Sequence, residues 1–386
     1  MSIGIDRIGM ATPAFYVDLI ELAKARGDEP DKYTIGIGQD QQAVAPSSQD
    51  IVTMGADAAA SILSENDHIG LIALGTESGI DASKAGALYI QKLLNLSPWA
   101  RAVEIKEACY GGTAALMMAR DFVAAHPDQQ ALVIASDIAR YGLATGGEVT
   151  QGAGAVAMIV SKDPHILTIN DDSVYRSDSI MDFWRPVYQD TALAKGKYST
   201  AQYLDFFQQV WDRYKATTGK TLADFKALCF HLPYTKMGLK ALRLALPEGD
   251  EAKQADLMAH FDRSIQYSRR VGNLYTGSLY LGLLSMLDLD DSLHAGDTLG
   301  LFSYGSGAVG EFFSATLVDG FEQYLHAAQH AALLDDRKQL SVPEYEAVFN
   351  DKVPYAAGDY QADPQYFAGR FVLTGVKDQE RQYLAR

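Results

Sequence analysis

The chain has 386 residues, 48% hydrophobic and 21% charged, which is ample material for a sizeable core and excludes a largely disordered protein. Its 33 basic and 49 acidic residues leave a net charge of −16, which repels nucleic acid and anionic membrane alike, so any anionic ligand needs a local basic patch. Two cysteines, Cys109 and Cys229, are too few for a disulfide scaffold or a four-thiolate zinc site.

The N-terminal stretch carries acidic residues early and lacks the basic-then-apolar pattern of a secretory leader. No uncharged apolar run reaches the roughly 18–20 residues that span a bilayer. The expectation is a soluble cytoplasmic protein with free thiols.

Along the chain, short apolar runs alternate with longer helical patterns. Ile69–Leu74 (IGLIAL) reads as a buried strand running into Gly75-Thr76-Glu77. Gly112–Ala125 reads as a helix full of small residues. Ala131–Ala135 (ALVIA), ending at Ser136-Asp137, and Ala153–Val160 (AGAVAMIV) read as strands. Strands alternating with helices imply an α/β fold with buried sheets. Asp171–Tyr214, rich in aromatics and charge, reads as an insertion, loop then helix.

The same grammar then returns. Phe225–Phe230 is a predicted strand, Asn273–Met286 a predicted small-residue helix like Cys109–Arg120, and Thr298–Tyr304 and Gly310–Val318 predicted strands. Superposing the two helices sets Asn273 where Cys109 stands. The helix and the two strands after it correspond in one order, which predicts a duplicated unit with halves at residues 1–165 and 166–386; coincidence among common βα units is the alternative. Phe321–Glu346 predicts a mostly polar amphipathic helix followed by Pro343, packed on the outside.

Cys109 stands just before a helix whose first turn is small, Tyr110-Gly111-Gly112-Thr113. Free N–H groups there favour a thiolate and predict a lowered pKa. Small side chains also leave a path to the sulfur. Cys229, inside an apolar strand, reads as core. His231 ends that strand, where loops build sites, and an imidazole there can hydrogen-bond a carbonyl oxygen or move a proton. Glu77 ends a buried strand; partial burial raises a carboxyl pKa and makes a usable base, although a helix-start carboxylate is the alternative. Lys236, Lys240 and Arg243 share one face if their segment is helical. They form either the required basic patch or a solvated helix face. Ser303–Gly307 (SYGSG) permits close backbone approach but matches neither a phosphate loop nor a dinucleotide fingerprint.

Together these residues resemble the thiolase superfamily, and within it the 3-hydroxy-3-methylglutaryl-CoA (HMG-CoA) synthases of bacterial type. The matching pieces are KYTIGIGQ (32–39), GTE (75–77), EACYGGTAA (107–115), SDIARY (136–141), HLPYTK (231–236), GNLYTGSLY (272–280) and SYGSG (303–307), in family order over most of the chain. The resemblance implies a thiolase-like α/β fold with two duplicated αβαβα-type halves, a five-layered core and a smaller peripheral insertion. It implies an acyltransferase that joins acetyl-CoA, acetoacetyl-CoA and water into HMG-CoA and CoA, in the mevalonate pathway of isoprenoid synthesis.

In that reading Cys109 carries the acetyl group, Glu77 removes the methyl proton, and His231 holds the acetoacetyl group. Asn273 and Ser306 hydrogen-bond the acyl thioester region. Asp137, Tyr141, Thr150, Asp182 and Ser199 lie around the acyl pocket and its loops, and Lys236 and Lys240 meet CoA. Gly142–Val149 departs from the animal pattern. The resemblance also implies a homodimer, with no metal and no cofactor beyond the CoA substrates. Two rivals stand beside it: a decarboxylating ketoacyl synthase using Cys109, His231 and Asn273, which needs no Glu77, and a non-catalytic acyl-CoA-binding protein, which needs no Cys109.

Overall fold

In the computed structural model, which describes residues 2–189 and 191–386, the apolar runs pair into one ten-stranded mixed sheet. From one edge the order is Ala227–Phe230, Thr298–Gly305, Val309–Leu317, Leu167–Ile169, Ile3–Ala11, Gly152–Lys162, Gln130–Ala139, Ile69–Gly75 and Arg101–Ile105. Val174–Ser177 also pairs with Val309–Leu317. One pattern occurs twice. Ile69–Gly75 lies parallel to Gln130–Ala139, followed by two antiparallel steps to Gly152–Lys162 and Ile3–Ala11. Ala227–Phe230 lies parallel to Thr298–Gly305, again followed by two antiparallel steps. The two sets meet where Gly4 and Ile5 face Thr168 and Leu167.

The period-two alternation of a strand decides the layers. Leu71, Ala73, Ala131 and Val133 point into one core with Leu299, Leu301, Phe313 and Ala315. That central core is filled by the helices Gly111–Ala125 and Ser278–Leu289. Ser278–Leu289 is buried all round, as an inner helix must be. Ile72, Leu74, Leu132 and Ile134 point the other way, onto the helix Ile51–Ala60. Leu228, Phe230, Phe302 and Phe312 face the helices Gly196–Thr218 and Thr235–Ala245. Helices thus lie outside each set of strands and between the two, the five-layered, thiolase-like arrangement, with the two strand layers continuous where Ile3–Ala11 meets Leu167–Ile169.

The small residues of the Cys109 helix serve backbone contact. A Cβ on Gly112 would lie 2.4 Å from the carbonyl oxygen of Thr276, and one on Gly75 2.6 Å from the backbone of Gly111. Glycine at both places lets the helix start seat directly on the end of one strand and on a turn of the second half.

Several elements differ from the sequence reading. The second small-residue helix begins at Ser278, not Asn273; Asn273–Gly277 is a turn closing in a short 3₁₀ segment. The insertion contains the sheet strand Val174–Ser177 and a two-stranded ribbon, Phe183–Trp184 with Leu193–Ala194, before its helix. That helix, Gly196–Thr218, is structural core: Tyr203, Phe206, Phe207, Trp211 and Tyr214 are fully buried on one face. Pro343 does not end a helix. It sits in the first turn of Val342–Asn350 behind the Ser341 cap, where its missing N–H costs nothing. Among the described residues no helix is long and apolar enough to cross a membrane.

Trp211 packs against Phe207, Tyr214, Phe225 and Phe312, whereas Trp99 is 93% exposed. Trp211→Ala is expected to cost about 3–5 kcal/mol of stability and Trp99→Ala no more than about 0.5, read from denaturant midpoints.

Candidate active site

Glu77, Cys109 and His231 come from three strand or helix ends. Glu77 follows Ile69–Gly75, Cys109 precedes Gly111–Ala125, and His231 follows Ala227–Phe230. Ala108 holds a left-handed φ of 41°, unusual for a residue with a Cβ. This bend turns the chain sharply into the helix, which has no side-chain cap.

The Cys109 thiol donates to Glu77 Oε1 at 3.0 Å. Burial, then the charge of Glu77, pushes the thiol well above its usual range. This reverses the lowered pKa expected from the helix start: burial, with a carboxylate in contact, outweighs the partial charge of a few N–H groups. The same burial, with the neighbouring Asp137 charge, pushes Glu77 up to about 8. The resting sulfur is thus a protonated thiol beside a carboxyl group raised to about 8. The guanidinium of Arg185 donates to the Glu77 carbonyl, and its charge pulls the Glu77 carboxyl down.

The turn bearing Glu77 is fixed from below by Asp137, which is 0% exposed. Its Oδ1 accepts from Thr76 Oγ1 at 2.9 Å, Glu77 N at 2.9 Å and Ser78 Oγ at 2.8 Å. Its Oδ2 accepts from Thr276 N and Oγ1 at 3.1 and 2.5 Å. Asp137 therefore sits under the site, underpinning the turn.

His231 is 2% exposed, and burial drives its pKa down to about 3, so the imidazole is neutral. Its carbonyl accepts from Tyr203 OH at 2.8 Å. Tyr203 packs edge-on against Tyr304, whose hydroxyl donates to Asp182 at 2.9 Å. Asp182 also accepts from Gly307 N at 2.9 Å and Ser199 Oγ at 3.3 Å, and its charge helps raise the Cys109 thiol. Ser306 lies in the same turn as Gly307, directly after Thr298–Gly305.

Asn273 donates from Nδ2 to Tyr141 OH at 3.0 Å, while its Oδ1 accepts from Tyr275 N and Ser278 Oγ, both at 2.8 Å. Tyr141 feels the charges of Cys109 and Glu77. These contacts and charges set Tyr141, Asn273 and Asp182 near the Cys109–Glu77 pair. Thr150 spends its hydroxyl on the Gly147 carbonyl at 2.9 Å. Lys236 and Lys240 lie on the helix Thr235–Ala245 just past His231, Lys240 exposed and donating to Tyr234 OH at 3.2 Å. Cys229 is core, its sulfur 4.0 Å from that of Met286 and its pKa pushed up to about 12 by burial. Among the described residues no group of three or more His, Cys, Asp or Glu could hold a metal ion.

Sequence reading missed Arg185, Phe183, Tyr275 and Thr276. Phe183 and Tyr275 pack edge-on around the Tyr141 ring. Thr276 lies inside the quoted Gly272–Tyr280 segment, but nothing in a sequence says that its hydroxyl reaches Asp137. Arg185 carries no local signal at all, because its role depends on the ribbon that carries it.

Comparison with known proteins identifies the family. Residues 1–165 match the family described as hydroxymethylglutaryl-coenzyme A synthase, N terminal, and residues 250–386 its C-terminal counterpart. A hydroxymethylglutaryl-CoA synthase of Enterococcus faecalis is 53% identical over 351 residues, covering 90% of this chain and 92% of that one. A crystal structure of HMG-CoA synthase complexed with CoA superposes with a TM-score of 0.97 at 43% identity, covering both chains fully. A structure of MvaS in complex with 3-hydroxy-3-methylglutaryl coenzyme A gives 0.88 at 35% identity, covering 100% of this chain and 99% of that one. The chain belongs to the hydroxymethylglutaryl-CoA synthase family.

Proposed function

We infer that the chain condenses acetyl-CoA with acetoacetyl-CoA and water, giving HMG-CoA and free CoA for the mevalonate pathway. The observation that carries the reading is the 3.0 Å contact between the Cys109 thiol and Glu77. It puts a nucleophile and a base with a raised pKa on the same reacting group.

The residue roles follow from that contact. Glu77 takes the Cys109 proton as the sulfur attacks the acetyl carbonyl, and the departing CoA thiolate recovers it. The product of this half is acetyl-Cys109 and CoA. Glu77 then removes a proton from the acetyl methyl, and the carbanion attacks the ketone carbon of acetoacetyl-CoA. The new alkoxide needs one proton and Glu77 holds one, so the step balances. His231, neutral, donates a hydrogen bond from its ring N–H to that oxygen. Water finally cleaves the Cys109 thioester, releasing HMG-CoA and restoring the thiol.

Asn273 and Ser306 orient the acyl thioester, Tyr141, Thr150, Asp182 and Ser199 shape the acyl pocket, and Asp137 supports it. Lys236 and Lys240 meet the CoA phosphates, offsetting the acidic surface. A decarboxylating synthase forms its carbanion by losing CO2, so a base beside the sulfur favours proton abstraction. A purely binding protein has no use for the Cys109–Glu77 pair.

The halves divide at residues 165 and 166, following the repeated strand order. The chain works in the cytoplasm as a homodimer, needing no metal or cofactor beyond its CoA substrates. Arg101–Ile105, paired on one side only and half-exposed, is the sheet edge a second copy would cover.

Incubation with acetyl-CoA should add about 42 Da, the mass of an acetyl group, at Cys109, and acetoacetyl-CoA should discharge it as HMG-CoA. Cys109→Ser should give no adduct; a retained adduct would move the nucleophile elsewhere. Glu77→Gln should lower HMG-CoA formation about 10²–10⁴-fold. Because ionised Glu77 is the proton acceptor, kcat/KM for acetylation should climb as pH rises to about 8 and level off above it. Glu77→Gln should erase that inflection, and a profile identical to wild type would remove Glu77 from the step.

A further inference from the structure

The loop after Tyr141 is held from behind. The side-chain carbonyl of Gln151 accepts the main-chain N–H groups of Tyr141 and Gly142 at 2.7 and 3.0 Å. The Gln151 amide nitrogen donates to Tyr345 OH at 2.9 Å. Tyr345 in turn donates to Glu148 Oε1 at 3.1 Å. Arg26 clamps that carboxylate at two points, Nε to Oε2 and Nη2 to Oε1, both 2.8 Å. Glu148 Oε2 also accepts the Ala144 N–H at 2.8 Å. Gln151, Tyr345 and Glu148 are all buried.

We propose that Gln151, Tyr345, Glu148 and Arg26 form a positioning relay that sets the Tyr141 loop against the acyl pocket. The relay lets two helices outside the catalytic trio govern it: Leu19–Arg26 near the start of the chain and Val342–Asn350 near its end. Its target is main chain. Bonds to the Tyr141 and Gly142 amides fix where the Tyr141 ring starts, and Asn273 fixes where its hydroxyl ends.

The loop has little slack to take up an error. A Cβ on Gly147 would sit 2.7 Å from that of Tyr141. Each relay member is satisfied by its neighbours, so loss of one leaves a buried polar group or charge without its partner. A shift of even 1 Å at a group that orients a reacting acyl unit costs up to about a hundredfold in rate.

The inference rests on the reading that Cys109 takes an acetyl group, and its test has one readout that does not. Tyr345→Phe keeps the ring and removes only the hydroxyl that joins Gln151 to Glu148. By hydrogen exchange, the Tyr141 and Gly142 amides should exchange about tenfold faster than in wild type; unchanged exchange overturns the relay whatever the enzyme catalyses. In the acetylation half-reaction, kcat/KM should fall about ten- to a hundredfold, with the melting temperature lowered and the fold kept.

The loss should depend on Tyr141. In a Tyr141→Ala background, Tyr345→Phe should cost nothing further, and a full multiplicative loss there overturns the proposal. Arg26→Gln, at the outer end of the relay, provides the same test should Tyr345→Phe not fold. Absence of any acetyl adduct on wild type would sink the acetylation reading and leave the exchange experiment to decide the relay.

Discussion

A single buried carboxylate organises this site. Asp137 has no exposure and answers its buried charge with five donors, three from the Glu77 turn and two from Thr276. A buried charge is tolerated only when so satisfied. Those donors come from both repeated sets of the fold, so solvating Asp137 requires the Glu77 turn and the Asn273–Gly277 turn to close together. The same closure brings Gly112 against the Thr276 carbonyl and seats the Cys109 helix. The Cys109–Glu77 pair is thus aligned by the need to satisfy one carboxylate.

That arrangement has an electrostatic result. Glu77, Asp137 and Asp182 crowd negative charge around the sulfur, with Arg185 as the nearby cation acting on Glu77. A thiolate among carboxylates is disfavoured, and the thiol rests protonated. Such a site avoids holding a permanently reactive thiolate. The carboxyl group of Glu77 stands 3.0 Å from that thiol. Burial keeps His231 neutral, so it adds no charge to the pocket.

Much of this was legible in the sequence, for identifiable reasons. Strand runs such as Ile69–Leu74 and Ala131–Ala135 are apolar on both faces, because cores lie on both sides of the sheet, and a continuous apolar run needs no partner to be read. Glu77, Cys109 and His231 lie at the ends of such runs, so the same signal marked them. Asn273–Gly277 was read as helix because its small residues continue the helical pattern, whereas Asn273 spends its side chain on Tyr275 N and Ser278 Oγ and holds the chain in a turn. Pro343 was read as a stop because proline both ends and opens helices; the Ser341 cap with Glu344 decides between them. Arg185 and Tyr345 stayed invisible because each acts on residues far away in sequence. Nor does composition along one stretch reveal that charge from elsewhere will reverse the expected ionisation of Cys109.

The position of the first strand has a consequence for how the chain is made. Ile3–Ala11 lies in the middle of the sheet, and its partners are Gly152–Lys162 and Leu167–Ile169, with Ile3 opposite Lys162. Once synthesised, this strand therefore has no sheet partner to join until some 160 residues later. Pairings at such separation form slowly, because a long loop must close before any bond rewards it. During synthesis an apolar segment with free backbone edges waits unpaired, a state open to misassociation. Its arrival completes the first set of strands and creates the surface on which the second begins, so the site between them forms only after the N-terminus has been captured.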